Sequence, residues 1–173
     1  GNRLLDLETG EIRPAPPVSA DRLVVAEADR VFSVAEDALE VLAADGVTVL
    51  HREEFVPGSM VPLGVHPLPR CEGLLLVLAD RSVAAWSAAT GIRRPWDLPP
   101  VVAAGVAADG RIAFGVVDPA APGDTPKAWV ELWDGSLTEP VREASWPASG
   151  AGVTLAVAGR FLAFGDPTGQ LVL

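Results

Sequence analysis

Four short runs of β-forming residues, each closed by an aspartate, recur along the 173-residue chain: RVFSVAED (30–37), GLLLVLAD (73–80), RIAFGVVD (111–118) and RFLAFGD (160–166). Their last residues, Asp37, Asp80, Asp118 and Asp166, follow one another at intervals of 38 to 48 residues. A second landmark keeps the same rhythm. A strand-like run leads into a glycine turn at Gly10 (RLLDLETGEIRP), Gly46 (LEVLAADGVTVL), Gly91 (SVAAWSAATGIRRP) and Gly135 (AWVELWDGSLTEP). Asp-Gly and Thr-Gly suit tight hairpins because glycine reaches positive φ without steric cost. Two independent landmarks on one period mark a repeated supersecondary unit, which constrains the fold more than any local propensity.

Each unit contains two further runs. An apolar one comes first: RLVVAEA (22–28), MVPLGVH (60–66), VVAAGVAA (101–108) and VTLAVAG (153–159). A polar one, rich in proline and charge, comes last: EIRPAPP, VTVLHREEF, IRRPWDLP and LTEPVREASW. Inner strands covered on both faces read as continuous apolar runs, and an exposed outer edge is protected by proline and charge. The expected fold is all-β, built of four-stranded antiparallel blades of the propeller type, about four of them visible. The spans are 1–17 (the end of one blade), 18–56, 57–99, 100–147 and 148–173 (an incomplete blade). A helix over 33–46 is the competing local reading, since Val34, Leu39, Val41 and Leu42 partly match helical spacing. The repeat favours a hairpin tip at Glu36-Asp37-Ala38.

Three segments carry a family resemblance: ELWDGS (131–136), with its Trp-Asp at the end of a third strand, LLDLETGE (4–11), and AAWSAATG (84–91), which has Ser87 in the aspartate position. The chain thereby resembles the WD40-like β-propeller repeats over essentially its whole length, as a divergent example. The Gly-His pair of that family is absent, and with only His51 and His66 its His-Ser-Trp-Asp network cannot recur in every blade. Third-strand sequences stand at both ends (NRLLDL and GQLVL) and seventeen strands are expected, so the chain reads as an excerpt of a larger propeller that self-associates when isolated. A four-bladed ring completed by its terminal strands is the alternative. The resemblance implies a scaffold or sensor module, in bacterial relatives joined to ATPases, kinases or peptidases.

Composition narrows the function classes. A chain 49% hydrophobic and 21% charged is a folded one. Its longest apolar stretches, 73–79 and 101–108, fall far short of the roughly 18 residues of a membrane span, and no secretory signal pattern opens it, so a cytoplasmic location is expected. Cys71 is the single cysteine, which excludes an intrachain disulfide and a cysteine-built zinc site. A net charge of −10, with Lys127 the one lysine, argues against nucleic acid as partner. No catalytic or phosphate-binding signature occurs, no calcium-loop spacing is present, and no cofactor or metal is expected.

Candidate residues are therefore sought on exposed loops and edges. Trp86, Trp129 and Trp133 fall in third strands and are expected between blades, with Phe32, Leu76, Phe114 and Leu162 also buried. Trp96 and Trp146, beside Pro95 and Pro147, are the two tryptophans with a route to the surface. Aromatic and arginine side chains together are favoured at interface hot spots. The interaction candidates are accordingly Arg93, Arg94, Trp96, Trp146 and, on the Pro/Gly-rich loop DPAAPGDTPKAW (118–129), Asp124 and Lys127. A blander reading, preferred for Trp96, has it cap the blade edge. His66 and Cys71 are read as a loop histidine and a structural thiol rather than a catalytic pair. The expected function is a non-catalytic interaction, scaffold or sensor module that binds a protein or peptide, with neither nucleic acid nor membrane as partner. The alternative is a small-ligand or enzymatic propeller whose site lies in the central channel and is completed by blades outside this chain.

Overall fold

The computed structural model describes residues 3–5, 12–14, 22–27, 29–56, 58–69, 73–118, 126–148, 153–158, 161–165 and 171–172. They form an all-β structure of antiparallel sheets. The chain divides into two compact units, Gly1–Pro62 and Leu63–Leu173. Asp124, Cys71, Gly10 and Asp166 lie outside the described residues.

In the first unit β1 (Arg3–Leu5) pairs with β2 (Ile12–Pro14), and β3 (Leu23–Glu27), β4 (Arg30–Val34), β5 (Ala38–Ala43) and β6 (Val49–Glu54) form a four-stranded meander. The second unit begins as the chain enters β7 (Pro62–Leu68). It continues with β8 (Gly73–Leu78), β9 (Val83–Ser87) and β10 (Gly91–Arg93); then β11 (Val101–Val106), β12 (Ile112–Asp118), β13 (Lys127–Trp133) and β14 (Arg142–Ala148); and finally β15 (Thr154–Ala158), β16 (Phe161–Gly165) and β17 (Leu171–Val172). These are two four-stranded meanders and one of three strands. Among the described residues no helix is long and apolar enough to cross a membrane.

The four aspartate-closed runs supply β4, β8, β12 and β16, each the second strand of its sheet. The helical reading of 33–46 fails. Val34 ends β4, Ala35 N–H donates to Ala38 O at 2.9 Å, and Ala38–Ala43 returns as β5, register Val34↔Leu39. Cross-strand partners decide the conformation here, because Val31, Phe32, Val41 and Leu42 are all buried.

Turns are closed by aspartates that bond to backbone N–H groups a few residues on. Asp45 accepts from the N–H of Val47 and of Thr48, both at 2.8 Å; Asp80 accepts from Ser82, Asp109 from Arg111, and Asp134 from Ser136 and Val141. Ser87, standing where a repeat aspartate is expected, shares a 2.8 Å hydroxyl–hydroxyl bond with Thr90 instead. The glycines that follow, Gly46 (φ 68°) and Gly91 (φ 63°), hold left-handed conformations that other residues enter only under strain.

Burial departs from the expected gradient. It peaks in second and third strands: every residue of Gly73–Leu78 and Val83–Ser87 is buried, whereas first strands such as Leu23–Glu27 alternate between half-buried and exposed. A first strand is itself an edge of its sheet, and the alanines and glycine of VVAAGV cover little of their neighbours. Within the second unit two apolar layers join consecutive sheets. Leu75, Val77, Val83, Ala85 and Trp96 pack with Ile112, Phe114 and Val116, while Val117, Ala128 and Val130 pack with Val153 and Phe164. Such interdigitated faces supply the main stabilising term.

Candidate interaction surfaces

The outer edge of the β7–β10 sheet places the first three candidates. β10 is short, pairing Gly91↔Ser87, Ile92↔Trp86 and Arg93↔Ala85, after which Pro95 cannot extend a ladder and the chain leaves the sheet. Arg93 and Arg94 are exposed. Trp96 is not. At 6% exposure it lies in the layer between sheets, edge-on to Phe114 with centroids 5.3 Å apart and planes at 66°. Its position among the interaction candidates is thus corrected: burying an indole beside Phe114 gains more apolar contact than a surface position offers. Its Nε1–H is a buried donor without a hydrogen-bond partner among the described residues. Asp80, in the β8–β9 turn, is held below the usual carboxylate range by hydrogen bonds from the Ser82 hydroxyl and N–H and, more weakly, by the Arg94 charge.

On the β11–β14 sheet, Trp146 lies in the outer strand, 36% exposed, its ring 6.5 Å from that of Phe164 and tilted by 36°. Lys127 opens β13, exposed and opposite Asp118. Of the expected core, Phe32, Leu76 and Phe114 are buried, but Trp133, Trp129 and Leu162 are only half-buried.

The reason for the two half-buried tryptophans is a residue that motif reasoning missed. Glu131 is 3% exposed in the middle of β13. Its Oε1 accepts from Trp129 Nε1–H at 2.8 Å and from the Arg142 guanidinium at 3.0 Å, and its Oε2 accepts from Trp133 Nε1–H at 3.0 Å. The signal was present as W-x-E-x-W, since residues two apart on a strand share a face. Two indoles and a guanidinium satisfy a charge that would otherwise be costly to bury.

The outer strand is set to suit it. The ladder runs Glu131↔Ser145 and Leu132↔Ala144, then slips by one residue to Trp133↔Arg142. Without the slip, Glu143 would stand opposite Trp133 on the face of Glu131, like charge beside like; with it, Arg142 does. The first unit slips at the same level, between Val41↔His51 and Leu42↔Val49. There Glu40 binds Arg22 at 2.7 Å and Arg52, its direct cross-strand partner, at 2.8 Å.

His66, half-buried in β7, has its pKa lowered from 6.5 by burial, which favours the neutral imidazole. Among the described residues no group of three or more His, Cys, Asp or Glu side chains is placed to hold a metal. No protein-family model matches the chain, and no curated protein matches it.

Proposed function

We propose that the chain is a non-catalytic protein-interaction module, a scaffold or sensor part of a larger protein that docks a protein or peptide on its outer strands and the connections beside them. The observation that carries this reading is the exposure of large apolar side chains on the otherwise polar outer strands of each unit: Val49 and Leu50 on β6 in the first, and Trp146 on β14 in the second, while the second strands of the same sheets are buried. An aromatic held on a rigid strand is the kind of anchor that binding energy concentrates on.

Display of a random-peptide library against the immobilised folded chain tests it. Enriched peptides should bind the chain in solution, and Trp146→Ala should weaken them by about tenfold, as loss of an aromatic anchor does, with the circular dichroism spectrum unchanged. Failure to enrich any peptide that binds the folded chain would overturn the proposal.

A further inference from the structure

We propose that one corner of the β7–β10 sheet, formed by Arg81, Arg93 and Arg94, is a docking surface for an acidic segment of a partner protein. This rests on the reading of the chain as an interaction module and says which chemistry it recognises.

The arginines with described side chains divide into two groups. Arg22, Arg30, Arg52, Arg111 and Arg142 each pair with a carboxylate of this chain. Arg81, Arg93 and Arg94 are exposed and, among the described residues, in no ion pair. All three unpaired ones come from a single sheet in a chain of net charge −10.

The register accounts for Arg94. Ser33, Leu76 and Phe114 hold the same place in three of the repeated runs, and their third-strand partners are Glu40, Ala84 and Glu131. Where that partner is glutamate, an outer-strand arginine is drawn inward, Arg52 to Glu40 and Arg142 to Glu131. In the β7–β10 sheet it is Ala84, and Arg94, next after Arg93↔Ala85, finds no carboxylate at its own level.

The same end of the sheet carries the β8–β9 turn. Arg81 holds φ at 64°, outside the ordinary range for a residue with a side chain. Its N–H donates to Leu78 O at 2.9 Å and its carbonyl accepts from Val101 N–H at 2.8 Å, so the side chain projects from a fixed root. Arg94, next after Arg93↔Ala85, stands by register at this same end of the sheet, and its charge weakly lowers the Asp80 pKa. Asp80 and Asp97 are the nearby acids in sequence. Asp80 is engaged by Ser82, and Asp97 is exposed and makes no ion pair with the arginines among the described residues.

Guanidinium forks match carboxylates in shape as well as charge. A long polyanion such as nucleic acid, or an anionic membrane, would also meet the acidic remainder of the chain. A short acidic segment needs only the corner.

Fluorescence anisotropy of a labelled Glu/Ser peptide against the whole chain tests the proposal, with its Gln/Ser counterpart, an RNA oligomer and phosphatidylserine vesicles as comparison probes. The Glu/Ser peptide should bind at low ionic strength and weaken as salt rises. Arg93→Gln with Arg94→Gln should weaken it about tenfold, and Arg81→Asn, which tolerates the left-handed backbone, by about threefold. Ala44→Glu with Thr138→Glu, which changes net charge equally at two exposed turns, should change it by less than about twofold. Thermal unfolding of each variant shows that it is folded. Equal loss in the charge-matched control, or no loss in the arginine pair, overturns the proposal, and tighter arginine-dependent binding of RNA or vesicles overturns its choice of partner. Library peptides that depend on Trp146 but not on these arginines would sink the acidic corner and leave the interaction reading standing; absence of any peptide ligand would remove both.

Discussion

Two neighbouring sheets of the second unit, β11–β14 and β7–β10, carry different residues at the third-strand position of Glu131 and Ala84, and their outer edges are organised differently. In the first, Glu131 is buried and gathers Trp129, Trp133 and Arg142 around it, so the outer strand slips by a residue to bring Arg142 onto the correct face. In the second, Ala84 is buried at the matching position, β10 ends after Gly91–Arg93, and Arg94 is exposed. One edge is tied to its own sheet by a charge. The other leaves its arginines exposed and, among the described residues, in no ion pair.

The largest effect expected belongs to what the two sheets share. Phe114 is fully buried in the layer between them and meets Trp96 edge-on, so Phe114→Ala should cost about 3–5 kcal/mol in denaturant unfolding, where a cost under about 1 kcal/mol would remove the shared core. Trp133→Ala, at a half-buried position, should cost less than that. Next comes the clamp. Glu131→Ala leaves two indole donors and a guanidinium without their acceptor and should cost roughly 2–4 kcal/mol, with weaker protection of β14 amides in hydrogen exchange; unchanged protection would mean the outer strand does not depend on the carboxylate.

Gly135 tests the loop that sets up the slip. A Cβ there would lie 2.3 Å from the Gly110 carbonyl oxygen, so Gly135→Ala should cost about 1–3 kcal/mol although no side chain is lost, and a neutral result would show that the β11–β12 and β13–β14 turns can separate freely.

A smaller effect should fall on the β7–β10 sheet alone, which holds His66. Its pKa is lowered in the folded state, so the unfolded chain takes up the proton first, and the stability that neutral His66 contributes is present above 6.5 and lost as pH falls through that value toward the folded pKa. Protection from hydrogen exchange, corrected for the pH dependence of the intrinsic exchange rate, should fall from pH 7.5 to pH 5 more in β7 than in β13, and His66→Gln should abolish the difference.

Much of the fold was legible because the repeat is carried by backbone requirements: apolar second strands, aspartates that cap turns, and glycines at positive φ such as Gly46 and Gly91. Trp96 was less so. Pro95 ends the strand before it, but whether the chain then turns inward or outward depends on the room beside Phe114, which belongs to the next repeat. Glu131 was missed because a lone acid in a strand reads as an edge residue until W-x-E-x-W is read as one face. The free arginines were named in part as Arg93 and Arg94; Arg81 went unnoticed because its exposure follows from a left-handed turn that an Asp-Arg-Ser sequence does not announce.

The central claim is that the third-strand residue decides whether an outer-strand arginine belongs to its own sheet or is available to a partner. Denaturant unfolding of Arg142→Ala and Arg94→Ala, measured side by side, tests it most directly. Arg142 donates to a buried carboxylate, and its loss should cost about 1–2 kcal/mol after allowance for its exposed side chain; Arg94, exposed and in no ion pair among the described residues, should change stability by less than about 0.5 kcal/mol. Equal costs for the two, or a larger one for Arg94, would contradict the account.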